Sequence, residues 1–240
     1  MKPESSSHLN SERLNKYLAF HLGISRRQAD DLIAKKPIAI NGQPAQLGAR
    51  VQPGDTVTIN GQPVGERKAY TYLLLHKPVG YVCSRKQQGD TPTIYSLLPG
   101  KYHNLKPVGR LDANSSGLLL LTDDGDFAFR MTHPKFQKTK QYTVTLNKEL
   151  APLHQQMIAD FGVQLDDGVS QLDLTRLHDD DRRTWIVTMS EGRNRQIRRT
   201  FSAVGYEVIG LHRTHFGNYM LNDLPAGKYQ IIQLMLAKRP

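Results

Sequence analysis

The stretch that decides the fold is residues 108–122, which reads VGRLDANSSGLLLLT. Its four consecutive leucines are too few for an ordinary helix and predict a strand buried on both faces. The polar loop before this strand places Asp112 among hydrogen-bond donors, two residues after Arg110. Because reacting groups usually lie in loops on a rigid scaffold, Asp112 is a candidate for chemistry. The alternative is that Asp112 only caps a turn.

Length and composition predict a folded, soluble protein. The chain has 240 residues, of which 38% are hydrophobic and 8% aromatic, which suits one large or two smaller domains. No apolar run approaches the roughly 20 residues that span a bilayer, and residues 1–10 lack the apolar segment of a signal peptide. We therefore expect a soluble, cytoplasmic protein without membrane contacts. The single cysteine, Cys83, excludes an internal disulfide and a cysteine-rich metal site.

Positive charge is concentrated at the two ends of the chain, whose formal net charge is +10. Residues 1–70 carry ten Lys and Arg against six acidic residues, residues 71–189 carry fourteen against thirteen, and residues 190–240 carry eight against three. Clustered cations favour polyanions because they release counterions from a phosphate backbone. The distribution therefore indicates a polyanion binder with two contact regions. General solubility charge is the alternative.

Residues 11–61 predict a small domain of two helices and a short sheet. An apolar stripe at i, i+3, i+4 and i+8 begins at Leu14 and predicts a helix that ends at Gly23. Ser25, followed three residues later by Gln28, predicts a capping box at the start of a second helix. Two β segments follow. Four cations on the solvent side of these helices or at a helix start are candidates for RNA contact: Arg13, Lys16, Arg26 and Arg27.

This segment resembles the S4 RNA-binding domain over about fifty residues. The resemblance is carried by four sequences: RLNKYL at residues 13–18, SRRQA at residues 25–29, ING at residues 40–42 and VQPGDTV at residues 51–57. It implies a small α/β domain that contacts RNA. We expect residues 1–10 to be a flexible tail and the turn-rich residues 62–70 to be a linker.

Residues 71–240 predict a second domain of the α+β class. Strand patterns outnumber helix patterns and do not alternate strictly with them, which favours a mixed, mostly antiparallel sheet flanked by helices. Helices are predicted at residues 149–160 and 194–204, and another begins after Asp124. The predicted strands are residues 72–76, 81–84, 118–121, 141–146, 172–177, 184–189, 206–211 and 229–234.

A second informative stretch is residues 191–201, EGRNRQIRRTF. As one helix, it would bury an apolar stripe and turn Arg195 and Arg199 away from that stripe, with Arg198 at the edge of the stripe. The outward arginines can bind phosphates, and the arginine at the edge can reach into a cleft beside the sheet. A solvated basic face is the alternative.

Taken together, the motifs resemble the RsuA-like subfamily of ribosomal RNA pseudouridine synthases. They are HKPVGY at residues 76–81, VGRLD at residues 108–112, GLLLLTDDG at residues 117–125, KQY at residues 140–142 and EGRNRQIRR at residues 191–199. The resemblance implies that a uridine is isomerised to pseudouridine: the N1-glycosidic bond breaks, the uracil turns, and C5 bonds to C1′. Such a reaction requires no metal and no redox cofactor.

The resemblance also implies roles for individual residues. It makes Asp112 the catalytic aspartate, acting as a nucleophile at C1′ or as a base at C2′. Tyr142 matches the tyrosine that contacts the target base, although its alternating strand also allows a core position. Arg198 matches the basic residue that pairs with the aspartate, and Arg110 and Leu111 shape the catalytic loop. RNA contacts are expected from four further cations: Lys140, Arg193, Arg195 and Arg199.

We expect a monomeric enzyme whose partner is ribosomal RNA, either free or within a partly assembled ribosomal subunit. Residues 194–199 resemble the large-subunit enzymes, whereas residues 80–84 and the short C-terminus resemble the small-subunit enzymes. The alternative from another class is a non-catalytic S4-type RNA-binding or ribosome-assembly protein, because basic charge and an S4 domain alone predict only binding. Asp112 discriminates between the two, since a pure binder has no need of it.

Overall fold

The computed structural model describes residues 11–65 and 69–234 and divides the chain into two compact units, Met1–Tyr70 and Thr71–Pro240. The expected N-terminal tail, residues 1–10, lies outside the described residues. None of the described helices has the length and apolar character needed to span a bilayer.

The first unit packs two helices on two small sheets. The first helix is capped at its C-terminus by Gly23, whose φ of 67° lets its N–H reach the carbonyls of the last turn, and the second begins with the expected capping box of Ser25 and Gln28. Its elements are β1 (Glu12–Arg13), α1 (Leu14–Leu22), α2 (Arg26–Lys35), β2 (Ile38–Ile40), β3 (Gln43–Pro44), β4 (Arg50–Val51), β5 (Val57–Ile59) and β6 (Gln62–Pro63). Strand β1 pairs with β4, and the other four strands follow the order β3-β2-β5-β6.

The start of the expected linker is wrong by two residues. Gln62 and Pro63 form β6, which pairs with Ile59 and Thr58 and so extends the small sheet. The Asn60-Gly61 turn makes this possible, because both residues adopt positive φ and such turns fold a strand back on itself.

The second unit is built on one large sheet. The strands of this unit are β7 (Tyr72–Lys77), β8 (Lys106–Pro107), β9 (Ser116–Thr122), β10 (Lys140–Leu146), β11 (Val163–Leu165), β12 (Gly168–Ser170), β13 (Asp173–Arg176), β14 (Thr184–Met189), β15 (Val208–Phe216), β16 (Tyr219–Met220) and β17 (Tyr229–Ile231), of which β11 and β12 form a separate hairpin. Its α-helices are α3 (Gly125–Thr132), α4 (Pro152–Gln156) and α5 (Gln196–Ala203). Short 3-10 helices span Ile94–Leu97, Gly100–Tyr102 and Pro134–Phe136, and a π-helix spans Met157–Phe161.

Within residues 69–234, nine strands form this sheet, in the order β13-β14-β10-β15-β9-β7-β17, with β16 beside β15 and β8 beside β9. Only the pairing of β9 with β15 is parallel. The predicted α+β class with a mixed, mostly antiparallel sheet is confirmed.

Strand β9 lies between two hydrophobic cores, as its unbroken run of leucines predicts. Leu119 and Leu121 pack in a core with Phe201 of α5, whereas Leu118 and Leu120 pack in a second core with Phe127 of α3. None of the four leucines is more than 1% exposed. Side chains alternate across a strand, so burial of consecutive residues requires helices on both faces of the sheet.

Three elements differ clearly from the sequence prediction. Residues 81–84 do not form the predicted strand, because Val82 makes only an isolated bridge with Thr93. Strand β15 runs on to Phe216, five residues past the predicted end, because its polar residues after Leu211 pair with β10 on one side and β9 on the other. The hairpin of β11 and β12 was not predicted at all.

Candidate active site

A cavity of about 460 Å³ opens in the second unit. Its walls come from the loop before β9, from β10, from the loop that leads into α5, and from β15. This volume is typical of a small-molecule site. The cavity therefore brings together the two stretches that the sequence singled out, residues 108–117 and residues 191–199.

Asp112 lies in the wall of this cavity, and its carboxylate is paired with Arg195. Arg195 Nη1 donates to Asp112 Oδ2 at 3.2 Å, and the two side chains are 38% and 45% exposed. The carboxylate thus binds a guanidinium 83 residues away in sequence. The turn of residues 112–115 is closed by main-chain atoms, with the Ser115 N–H donating to the Asp112 carbonyl at 3.0 Å, and not by the Asp112 side chain.

The loop that carries Asp112 is held by hydrogen bonds from Lys77, which is fully buried. Its Nζ donates to the carbonyls of Pro78 and Asp112 at 3.0 Å and of Ser115 at 2.7 Å. Burial lowers the pKa of Lys77 to about 8, against the opposing effects of Cys83 and Asp112. Lys77 was not among the site residues predicted from the sequence. The available signal was a lysine at the end of a mostly apolar strand.

The expected pairing of Arg198 with Asp112 is wrong in this structure. Arg198 instead donates from Nη2 to the Asn114 carbonyl at 2.8 Å and from Nη1 to the Val208 carbonyl. Burial and the neighbouring charge of Arg195 lower the pKa of Arg198, and the charge of Asp112 opposes that shift. Arg198 therefore braces the Asp112 loop through its main chain.

Arg195 binds Asp112 in place of the expected Arg198 because of the backbone conformation at Arg195. The helix was expected to begin at residue 194, but α5 begins at Gln196 and Arg195 precedes it with φ of 45°. A residue in the left-handed region lies outside the helical geometry that predicts side-chain direction. Arg195 is thereby directed to Asp112 instead of outward to solvent.

Strand β10 contributes Tyr142 and Lys140 to the cavity wall. Tyr142 is 8% exposed and lines the cavity, so it is at once a core residue and a residue of the cavity wall. The sequence had allowed both positions. Lys140 Nζ donates to the Glu191 carbonyl at 3.1 Å. Burial, together with the positive charge of Arg213, lowers the pKa of Lys140 to about 8.

Arg110 and Leu111 precede Asp112 and also line the cavity. Leu111 is buried, and its carbonyl accepts a hydrogen bond from Cys83 Sγ at 3.3 Å. Burial raises the pKa of the Cys83 thiol, and the hydrogen bond to Leu111 opposes that effect. These contacts fix the path of the chain into the turn at Asp112.

Two of the arginines expected to bind RNA form intramolecular ion pairs with Asp167. Arg193 Nη1 lies 2.9 Å from Asp167 Oδ1, and Arg199 Nη2 lies 2.6 Å from Asp167 Oδ2. The hydrogen bond from Arg199 holds the pKa of Asp167 below its ordinary value. Because Asp167 lies between β11 and β12, these ion pairs fasten that hairpin to the arginine-rich stretch.

The cations expected to bind RNA in the first unit lie on or beside its helices. Arg13, Arg26 and Arg27 are exposed, and Lys16 is half-buried. In the part of the chain that the structure describes, no three His, Cys, Asp or Glu side chains gather as a metal-binding set. Asp124, which the sequence placed at a helix start, caps α3 by accepting hydrogen bonds from the N–H groups of Asp126 and Phe127.

Comparison with known proteins matches both units. Residues 71–203 match the family described as RNA pseudouridylate synthase, and residues 12–57 match the S4 domain. A solved structure titled as a pseudouridylate synthase is 32% identical and superposes with a TM-score of 0.64, covering 92% of this chain and 96% of that one.

The full-length relatives point the same way. Ribosomal small subunit pseudouridine synthase A of Pasteurella multocida is 38% identical over 91% of this chain and 94% of its own length. Ribosomal large subunit pseudouridine synthase B of Bacillus subtilis is 36% identical over 90% of both chains. With these matches along both units, the chain belongs to the RNA pseudouridylate synthases and carries an N-terminal S4 domain.

Proposed function

We propose that this protein converts specific uridines of ribosomal RNA to pseudouridine, with Asp112 as the catalytic carboxylate. Ribosomal RNA is supported as the substrate because a small-subunit and a large-subunit rRNA enzyme align with 91% and 90% of the chain. The observation that carries the proposal is the Asp112 carboxylate, paired with Arg195 in the wall of a cavity large enough for a nucleoside.

One available carboxylate suits an isomerisation better than a hydrolysis. Glycoside hydrolysis normally uses two carboxylates, one of which activates water. Glu191 also lines the cavity, but its carboxylate accepts hydrogen bonds from two side chains, Arg193 and Gln196, whereas the Asp112 carboxylate accepts one, from Arg195. Asp112 is left as the group that acts on the ribose, either as a nucleophile at C1′ or as a base at C2′.

The atoms balance without a co-reactant. The bond between C1′ and N1 breaks, the uracil turns within the cavity, and C5 bonds to C1′. The proton on C5 leaves and N1 gains one. Tyr142 covers the base and assists removal of the C5 proton, while Arg195 balances the charge of Asp112 before the substrate enters.

The target uridine must leave its stack to enter the cavity, which costs a few kcal/mol. Contacts between cations and the RNA backbone offset this cost because they release counterions. The S4 helices supply such cations in the first unit, and Lys140 supplies one in the cavity wall of the second.

The proposal is tested with rRNA transcripts that carry tritium at C5 of uridine, since pseudouridine formation releases that tritium. We expect the purified protein to release tritium from the small- or large-subunit transcript at one or a few positions and not from a non-ribosomal transcript of equal length. Release from neither ribosomal transcript, whether free or within isolated subunits, would contradict the proposal.

A further inference from the structure

Arg213 is an arginine in the middle of β15 with an unused hydrogen-bond donor. It is 2% exposed, and its Nε donates to the Leu118 carbonyl at 2.8 Å. Its Nη2 is buried and has no hydrogen-bond partner among the described residues. Buried donors without a partner are rare in folded proteins, and each requires an explanation.

The unused donor belongs to a residue of the cavity wall. Arg213 lies opposite Tyr142 across β15 and β10, and its guanidinium carbon is 4.9 Å from the centre of the Phe216 ring. The same wall contains a second buried polar atom that the described residues leave unbonded, Ser115 Oγ. Arg193 Nε is a third such atom, so three residues of one cavity wall carry a buried polar atom that the described residues leave unbonded, which indicates a surface built for a polar ligand.

The residues of the cavity wall differ in exposure. The side chains of Asp112 and Arg195 are 38% and 45% exposed and therefore border solvent. Arg213, Phe216 and Tyr142 are 2%, 1% and 8% exposed and form a buried part of the wall. A nucleotide whose ribose meets Asp112 keeps its phosphates toward solvent, so its base is the part that reaches Arg213.

We infer that Arg213 Nη2 donates a hydrogen bond to O4 of the extruded uracil and so determines which base is accepted. This inference rests on the proposed function. A guanidinium has donors only, so it complements the carbonyl edge of uracil and opposes the amino group that cytosine carries at C4. A site built to bond a polar group rejects analogues that leave its own buried group unpaired.

The same donor serves the base before and after it turns. Rotation of uracil about the axis through N3 and C6 exchanges N1 with C5, and it also exchanges O2 with O4. A donor beside one carbonyl position therefore meets a carbonyl oxygen in the reactant and again in the product. Arg213 can thus hold the free uracil in the cavity while its bond to the ribose is remade.

The test compares Arg213→Lys and Arg213→Gln with Arg182→Lys. Arg182 is the matched control because its Nε also donates to a main-chain carbonyl, that of Leu150 at 2.9 Å, away from the cavity. We expect both Arg213 variants to lose about 100-fold or more in single-turnover tritium release. We expect their rRNA affinity to stay close to that of the wild type, as in the Arg182 variant. We expect both to be folded at the assay temperature, with a lower unfolding midpoint because the Leu118 carbonyl loses its donor.

Two outcomes would overturn the inference. One is an unchanged rate, or a rate that recovers fully when the temperature is lowered below an early unfolding transition, because Arg213 would then have a structural role. The other is a salt dependence of RNA binding that weakens by about one unit of slope in Arg213→Gln, because Arg213 would then contact a phosphate.

A binding measurement separates this inference from the proposed function, because it does not depend on turnover. By equilibrium dialysis at millimolar nucleotide, we expect the wild type to prefer uridine 5′-monophosphate to cytidine 5′-monophosphate severalfold. Arg213→Gln should remove that preference, whereas Arg182→Lys should keep it. Equal binding of the two nucleotides by the wild type would reject the assignment of Arg213 even if the enzyme is active.

Discussion

At the scale of single residues, the geometry of the site depends on how the Asp112 loop is held. Lys77 brings a buried ammonium group to three main-chain carbonyls, and two of these belong to the turn of residues 112–115. Arg198 adds a hydrogen bond to Asn114 from the other side of the loop. Asp112 is therefore placed by groups that bind its main chain, so its carboxylate is left for Arg195 and the substrate.

Replacing Lys77 by Met should loosen this loop, because three carbonyls lose one shared donor. We expect turnover to fall about tenfold or more, since small displacements of a catalytic group are costly, while rRNA affinity changes little. Hydrogen exchange should become faster at the amides of residues 113–115. The exposed Lys101→Met is the control. Unchanged exchange in the loop would show that Lys77 does not hold it.

Lys140 should make RNA binding depend on pH. Its pKa is lowered to about 8, so its positive charge is present below pH 8 and is lost above it. We expect rRNA affinity to fall between pH 7 and pH 9 in the wild type and to fall less in Lys140→Met, measured by filter binding. Parallel profiles for the two proteins would contradict a phosphate contact by Lys140.

The same pKa shift has a consequence for stability. The pKa of an unfolded lysine is about 10.4, so between pH 8 and pH 10 the unfolded state holds the proton that the folded state has released. Stability should therefore rise with pH in this window. Comparing the wild type with Lys140→Met isolates this contribution, because Lys77 has a similarly lowered pKa in both proteins.

The sequence could single out Asp112 and Tyr142, which both line the cavity, because each lies in a local motif. It could not assign the arginines correctly, since the contact of Arg195 depends on one backbone angle of 45°. Arg213 gave no local signal at all. Its burial arises only when β10, β15 and β9 are side by side, which is information that no single stretch of sequence contains.

At the scale of elements, the critical contact is the parallel pairing of β9 with β15. Gly117 lies opposite Arg213 with φ of 110°, and a Cβ placed on Gly117 would lie 2.2 Å from the Arg213 carbonyl oxygen. Only glycine allows the two strands to approach this closely. The Asp112 loop and the Arg213 side chain are thereby brought to one cavity.

Gly117→Ala should force these strands apart. We expect the free energy of unfolding to fall by at least about 3 kcal/mol, from combined backbone strain and overpacking. Gly125→Ala is the matched control, because nothing lies within 4 Å of its added Cβ. Denaturant unfolding followed by circular dichroism measures both. A loss of less than about 1 kcal/mol in Gly117→Ala would mean that the strands need not be this close.

Most elements of the large sheet follow from periodicity, and the exceptions have physical causes. The run of leucines predicted β9, and alternation predicted β10 and β14. The hairpin of residues 163–170 was not predicted because its order depends on distant ion pairs from Arg193 and Arg199 to Asp167. Strand β15 was predicted too short because a buried arginine and two histidines do not form an apolar pattern.

At the scale of the whole molecule, the excess of Lys and Arg in residues 1–70 lies in a different unit from the cavity. Asp112 lies in the acid-balanced middle of the chain, and the basic residues 190–240 contribute Arg195 and Arg213 to the same cavity. Attraction of RNA by the exposed cations of the first unit is sensitive to salt, whereas a reaction within the cavity is not. The two contributions can therefore be separated by mutation.

Arg27→Ala should weaken RNA binding without slowing the chemical step. We expect lower rRNA affinity and a salt dependence reduced by about one unit of slope, as for the loss of one phosphate contact. The single-turnover rate at saturating RNA should stay the same. Arg176→Ala, on β13 of the second unit, is the control for loss of one positive charge. If Arg27→Ala binds like this control, the first unit does not use Arg27 to bind RNA.

The most direct test of the account is single-turnover tritium release by Asp112→Asn on rRNA transcripts, with the exposed Asp173→Asn as control. The variant keeps the shape of the side chain and removes its charge. We expect it to bind rRNA within a fewfold of the wild type and to form no detectable pseudouridine, while Asp173→Asn retains full activity. Retained pseudouridine formation by Asp112→Asn would contradict the mechanism.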